Sequence, residues 1–407
     1  MNNKEIKSES GAPRGVRCII TLIGKRNAGK SSLINAILGQ EVSIVSDIPG
    51  TTTDPVAKPY ELLPFGPVTF YDTAGIDDEG DIGEKRIKAT KKVLNRSDLV
   101  LVVCDEKGLG DQEKNIITNL KEIAIACFIV FNKSDIAKPK EADIDFCLQN
   151  KIPMGVVSAH TGDGIAALRI KIIEAIPQEM KDEPALVSDL IKKGDTVMLI
   201  VPIDIGAPKG RIILPQVQVL REILDSEALA VTLKETSIES AFGIISRPPA
   251  LVITDSQVIL KVSQSIPQEI PLTTFSTLFA RYKGDIYAQI DGARKIDELK
   301  DGSKVLISEA CSHHVQADDI GRVKIPKWLK EYTGKSLIFN ITAGYDFPED
   351  LNEYSLVIHC GGCMFNRAEI MRRIRECTRN GVPVTNYGIA ISKVQGVLDR
   401  IVKPFFK

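Results

Sequence analysis

One stretch limits the possible folds more than any other: Gly24-Lys-Arg-Asn-Ala-Gly29-Lys30-Ser31, which satisfies the pattern G-x-x-x-x-G-K-[ST]. It follows an apolar run, Val16–Ile23, and opens a segment of helical character. Glycines in such a loop let backbone N–H groups close around phosphate oxygens at a helix N-terminus, where aligned peptide dipoles also favour anions. The expected cradle is Gly24, Asn27, Ala28, Gly29, Lys30, Ser31 and Ser32, with Lys30 reaching the β and γ phosphates and Ser31 on Mg²⁺. A loop of this kind belongs to an α/β fold with a parallel sheet.

The surrounding sequence has the matching rhythm. Residues 16–176 alternate strand-length apolar runs with helical segments. The predicted strands are Val16–Ile23, Val68–Tyr71, Leu99–Cys104, Ala126–Phe131 and Gly155–Val157, closed by a helix at Ile165–Ile176. Pro177–Pro184 is polar with a proline at each end and reads as a linker. A small βαβ-type unit follows, with strands at Thr196–Pro202, Ala228–Leu233 and Leu251–Thr254 around a helix at Gln216–Ser226. After Pro271 come strands near Val305–Ile307, Leu337–Phe339, Leu356–His359 and Val382–Thr385, and an Arg-rich helix at Arg367–Thr378. A chain of 407 residues has room for about two or three domains. The predicted division is 1–178, 179–268 and 269–407, each an α/β unit.

Three further motifs stand at strand ends in the first part. Asp72-Thr-Ala-Gly75 can hold a Mg²⁺-bound water through its carboxylate and sense a γ-phosphate through the Gly75 amide. Asn132-Lys133-Ser-Asp135 supplies a carboxylate able to accept both N1–H and N2–H of guanine, donors that adenine does not offer in that geometry. Ser158-Ala159 is placed to meet the guanine O6 through the backbone. The set specifies GTP, with Lys30, Asp72 and Gly75 at the reacting phosphate.

Together these motifs resemble the TrmE-Era family of translation-factor-like GTPases. The resemblance extends to Asn27 in the phosphate loop and to Ser46-Asp-Ile-Pro-Gly-Thr51-Thr52-Thr53-Asp54, which is similar to that family's K⁺-loop and switch segment. It implies that Asn27, helped by the loop around Thr51, ligates K⁺, and that Thr52 is the switch threonine on Mg²⁺. Ile76 stands where Ras-like proteins carry a water-orienting glutamine. The implied substitute is K⁺-assisted hydrolysis with slow intrinsic turnover.

Composition excludes several classes. Lys+Arg is 52 against Asp+Glu 53, so no general electrostatic case exists for nucleic acid or anionic membrane. The longest apolar run, Ile123–Phe131, is far shorter than the ~18 residues a membrane span needs. Residues 1–10 are polar and lack a signal core. The expectation is a cytoplasmic protein with no nucleic-acid or membrane partner. Its 8 cysteines are then expected as thiols.

Four of those cysteines and three of the four histidines lie late in the chain. Cys311-Ser-His313-His314 follows one predicted strand, and His359-Cys360-Gly-Gly-Cys363 follows another, with 45 residues between His313 and His359. If those strands are parallel members of one sheet, both clusters leave its carboxyl edge, where open α/β sheets carry ligands. Three thiolates with an imidazole suit tetrahedral zinc, and three thiolates with an open position suit a 4Fe-4S cluster. A redox C-x-x-C pair and plain structural cysteines are the other readings, while Gly361 and Gly362 favour a cluster because bare backbone can approach its sulfides. The remaining cysteines, Cys18, Cys104, Cys127, Cys147 and Cys377, read as packing residues.

A GTPase part followed by C-x-H, a gap of this length and H-C-x-x-C resembles the HydF family of FeFe-hydrogenase maturation GTPases. The resemblance runs from Gly24 to Cys363 and implies a 4Fe-4S cluster on Cys311, Cys360 and Cys363. The fourth position stays open among His313, His359, His314, Glu309 and water. It also implies self-association through the middle part, as a dimer or larger. The partners it implies are the radical SAM maturases HydE and HydG and the apo FeFe-hydrogenase, which would receive a di-iron precursor. Two other readings compete: a TrmE-Era-type GTPase acting on RNA or the ribosome, and a GTP-regulated zinc or redox protein. Against the first, residues 270–407 carry only 20 basic residues against 16 acidic ones. Arg367, Arg372, Arg373, Arg375 and Arg379 concentrate on one helix, whose default reading is a solvated face.

Overall fold

The computed structural model describes residues 17–39, 56–73, 93–94, 96–123, 125–181, 184–202, 212–310, 319–344, 346–348, 350–362 and 365–406. The chain divides into two compact units, Met1–Glu183 and Pro184–Lys407.

The first unit is built on a six-stranded sheet of order β2-β3-β1-β4-β5-β6. Its strands are β1 (Cys18–Ile23), β2 (Val56–Leu62), β3 (Gly66–Asp72), β4 (Leu99–Cys104), β5 (Ala126–Phe131) and β6 (Met154–Val156). All run parallel except β2, which pairs antiparallel with β3 at the edge. Every residue of β1 and β4 is buried, as continuous apolar strands require when helices cover both faces. On one face α1 (Lys30–Leu38) and α4 (Ile165–Ala175) pack Leu33, Ile37, Leu168 and Ile172 against Ile20, Leu22 and Leu101. On the other, α2 (Asp111–Glu122) and α3 (Glu141–Gln149) pack Ile117, Leu120 and Cys147 against Val100, Val102 and Ile129. With β3 on one side of β1 and β4 on the other, the strand order reverses at β1, and such sheets bind ligands beyond the carboxyl ends of the strands at that point.

Two differences from the sequence reading have simple causes. Strand β2 was not expected: VAKPYEL mixes lysine, glutamate and proline with apolar residues, which only an edge strand with exposed positions tolerates. The expected linker holds a short helix, α5 (Gln178–Lys181), between its prolines.

The second unit contains two parallel four-stranded sheets, ordered β10-β9-β7-β8 and β12-β11-β13-β14. The first consists of β7 (Thr196–Ile200), β8 (Leu229–Leu233), β9 (Leu251–Thr254) and β10 (Leu272–Thr274). The other consists of β11 (Lys304–Glu309), β12 (Ile338–Ala343), β13 (Leu356–His359) and β14 (Val384–Asn386). Residues of both sheets, among them Met198, Val252, Val305 and Ile358, share one apolar core. Helices α6 (Leu214–Asp225), α7 (Ile238–Ile244) and α8 (Ile259–Ser265) accompany the first sheet. The remaining helices are α9 (Phe275–Lys283), α10 (Ile286–Arg294), α11 (Ile325–Thr333), α12 (Arg367–Arg379), α13 (Tyr387–Val394) and α14 (Leu398–Val402). Strands β10 and β14 pass directly into α9 and α13, where the side chains of Thr274 and Asn386 accept the amides of Thr277 and Ile389. Among the described residues no helix is long and apolar enough to cross a membrane.

Candidate functional site

The phosphate loop connects β1 to α1. Gly29 stands at the helix N-terminus with φ 86°, and a Cβ there would lie 2.3 Å from Nδ2 of Asn132, so only glycine fits. Asn27 also adopts the left-handed conformation, with φ 58°. The buried Lys30 ammonium donates to the carbonyls of Gly24, at 2.9 Å, and Lys25, at 2.8 Å, which holds the charge over the loop. The Ser31 hydroxyl donates to Oδ2 of Asp72 at 2.6 Å. The structure therefore joins the end of β3 to the start of α1, the pair expected to share Mg²⁺. Burial pushes the Asp72 carboxyl above its ordinary range, opposed by the Ser31 hydroxyl and the charges of Lys30 and Lys58. Next to it, the buried Thr73 hydroxyl donates to the Leu22 carbonyl at 2.7 Å and anchors the strand end to β1.

The base-side residues converge through a contact that the motif alone does not disclose. The Asn132 amide donates to the Ala28 carbonyl at 2.9 Å, while its oxygen accepts the Ala159 N–H at 3.0 Å. This one buried side chain ties the loop after β5 to the phosphate loop and to the loop after β6. Asp135 is exposed, and the Ser158 hydroxyl beside it holds its carboxyl below the usual range, so it is an anion ready to accept two donors. Lys133, with φ 59°, pairs with Glu106 at 2.9 Å. Lys25 of the loop pairs at 3.1 Å with Glu113, which is buried in α2. Ser32 is half-buried in the first turn of α1. Thr52, Gly75 and the segment 46–54 lie outside the described residues.

At the carboxyl edge of the last sheet, β11 and β13 are parallel neighbours with Ser308 opposite His359. The amide of Cys360 donates to the Ser308 carbonyl at 2.9 Å, and the Ala310 amide donates to Sγ of Cys360 at 3.0 Å. Ala310 precedes Cys311 in the chain, and the described residue that meets the Cys360 sulfur is Ala310 itself. Cys311, His313, His314 and Cys363 lie outside the described residues. Among the described residues no group of three or more His, Cys, Asp and Glu is placed to hold a metal ion.

The donors that are described have the chemistry such a group requires. Sγ of Cys360 already accepts a backbone N–H, that of Ala310. A Cβ at Gly361 would meet open space among the described residues, leaving bare backbone beside the sulfur. His359 is buried and pushed down to about 4 by burial, so it is neutral at pH 7. Its Nδ1 lies 2.8 Å from the Cys360 carbonyl, which assigns the proton there and leaves Nε2 buried without a hydrogen-bond partner among the described residues. Glu309 is buried, and both of its oxygens are engaged by Arg322.

The Arg-rich helix departs from the expected solvated face. Arg373 is fully buried: it donates to Glu369 at 2.6 Å, to the Ser308 hydroxyl at 2.8 Å and to the Gly344 carbonyl at 2.7 Å, and it stacks over Phe365. It thus pins α12 to the residue whose carbonyl holds Cys360. The sequence did contain the signal, because 370, 373, 374 and 377 form one helical stripe and the other three members are apolar. Cys377, in that stripe, is buried and its thiol is pushed up to about 12. Cys18, Cys104 and Cys147 are likewise buried, and Cys127 is half-buried.

Similarity to known proteins divides along the same units. Over 148 residues the chain is 40% identical to the tRNA modification GTPase MnmE of Prochlorococcus marinus, which is 36% of this chain and 32% of that protein. Over 184 residues it is 35% identical to GTPase Der of Wolinella succinogenes, 43% of this chain and 38% of that one. The chain therefore spans about a third of the length of these relatives. Among solved structures, Era of Aquifex aeolicus bound to GDP and aluminium fluoride is similar at 21% identity and a TM-score of 0.36, covering 53% of this chain and 93% of that one. Residues 19–133 match the family model described as 50S ribosome-binding GTPase. Residues 186–284 match the Hydrogen maturase F dimerization domain, and residues 287–404 its tetramerization domain. With a P-loop GTPase domain ahead of two domains specific to that maturase, which together take in more than half of its length, the chain belongs to the hydrogen maturase F (HydF) family.

Proposed function

We propose that the chain binds and hydrolyses GTP in its first unit. In its second it holds an iron–sulfur group on Cys311, Cys360 and Cys363, serving as a scaffold that delivers a di-iron precursor to an apo FeFe-hydrogenase. In the first unit Lys30 neutralises the β and γ phosphates, Ser31 and Thr52 hold Mg²⁺, and Asp72 orients its water. Asp135 selects guanine, with the Ser158-Ala159 backbone at O6, and Gly75 senses the γ-phosphate. Asn27 stands in the phosphate loop in the left-handed conformation, and its match to the family's K⁺-binding asparagine supports K⁺ as the charge that replaces an arginine finger. Self-association through the part expected at 179–268, and docking of HydE, HydG and the hydrogenase, complete the reading. GTP turnover biases docking and does no chemistry on the iron.

The observation that supports the metal half is the amide of Ala310, the residue before Cys311, on the sulfur of Cys360, 50 residues further along the chain. A 4Fe-4S group there would supply an exchangeable iron site. His313 and His359 are the candidates for its fourth ligand. The experiment is anaerobic reconstitution, with metal analysis and EPR of the reduced protein with and without GTP. About four irons per chain, with the signal of a reduced cluster, is the expected result. Zinc without iron overturns it in favour of a GTP-regulated zinc protein.

A further inference from the structure

Lys283 ends α9 and is buried, with 3% of its surface exposed. Removing an ammonium from water is costly unless good acceptors meet it, so the groups it faces are informative. Its Nζ donates to the carbonyls of Gly362, at 3.0 Å, and Phe365, at 2.8 Å, and lies 5.8 Å from the Phe279 ring centroid. Both carbonyls belong to the segment that leaves Cys360 and enters α12. Gly362 has φ 61°, and its carbonyl also accepts the Phe365 amide at 3.0 Å. From the other side Arg367 donates to the Tyr282 carbonyl at 2.6 Å, so the end of α9 and the start of α12 are clasped twice.

A strand-to-helix turn does not need a buried cation to close. Within the same unit, the turns after β10 and β14 are closed by the neutral side chains of Thr274 and Asn386. The turn after β13 has its own neutral cap, Asn366, which accepts the Glu369 amide at 3.1 Å. Lys283 is added to a turn that is already capped, and it is added where Cys360 stands.

We propose that Lys283 is a positioning residue for the Cys360–Gly362 turn: its buried ammonium fixes the turn's carbonyls and places a positive charge that favours an anionic iron–sulfur group at that edge. The charge part rests on the cluster reading given above, whereas the positioning part stands on this chain's geometry. No proton or electron is transferred by Lys283.

The test uses the full-length chain, prepared anaerobically, as Lys283→Met, Lys283→Gln and Lys283→Arg. Three readouts apply: iron release to a chelator, EPR of the reduced protein, and hydrogen exchange of the peptide spanning 359–367 in metal-free protein. GTP turnover, which belongs to the other unit, is expected to stay at the parental rate. Lys283→Met is expected to release iron about tenfold faster or more, with an altered EPR signal and faster exchange in that peptide. Lys283→Arg is expected to restore all three readouts. Lys283→Gln, a donor without charge, is expected to release iron as Lys283→Met does; parental release from it overturns the charge part. Parental exchange in Lys283→Met overturns the positioning part. If the parental chain binds no iron but Lys283→Met still speeds exchange, the cluster reading fails and the positioning role stands.

Discussion

The phosphate loop and the Cys360 turn are both strand-to-helix turns at the carboxyl edge of a parallel sheet, yet they are held in opposite ways. The phosphate loop is largely held by the residues of the nucleotide motifs themselves: Lys30 on the loop's own carbonyls, Ser31 on Asp72, Asn132 on Ala28. The Cys360 turn is held by residues outside its motif, Arg373 through Ser308 and Lys283 through Gly362 and Phe365. A site that wraps an anion with contiguous backbone can be self-supporting. The Cys360 turn, which presents a sulfur, is instead oriented by side chains from elsewhere in the fold, as outer-shell partners orient a ligand.

Substitutions can break this contrast in either unit. The largest expected effect is that of Lys30→Ala, which removes the phosphate-facing charge and lowers GTP turnover by about 10³-fold, measured by phosphate release. Iron content is expected to stay parental; simultaneous loss of iron would mean that the two sites are not separable. Next, Arg373→Ala breaks the buried pair of Arg373 and Glu369, leaving the buried Glu369 with Arg372, and is expected to cost about 3 kcal/mol in denaturant unfolding of the second unit. Replacing both partners with methionine should recover much of that loss. Asp135→Asn removes the acceptor of two guanine donors and is expected to weaken GTP binding about 100-fold in a nucleotide titration, with the fold unchanged. The smallest effect is the faster GTP turnover expected in KCl than in NaCl at equal ionic strength. Equal rates would remove the role given to Asn27.

The same contrast accounts for what the sequence disclosed. Strands such as Leu99–Cys104, Ala126–Phe131 and Leu356–His359 were legible to the residue, because unbroken apolar runs have one fate in a covered parallel sheet. Edge strands β2 and β10 were not: one is interrupted by Pro59 and charged residues, and the other is three residues long with two threonines. The phosphate and guanine residues were legible because their spacing is local. The bridging role of Asn132 was not, since Ala28 and Ala159 meet it only in the fold. Arg373 was legible from its place in an apolar stripe, but a tally of charges concealed it. Lys283 left no local sign, because the turn it holds lies about 80 residues further along the chain.

In the proposed function one chain carries a nucleotide site and a separate thiolate iron site. Measuring iron and GTP turnover side by side on Cys360→Ser tests it most directly. Iron falling from about four per chain to a small remainder, with turnover at the parental rate, is the predicted result. Iron retained at the parental level in Cys360→Ser would contradict it.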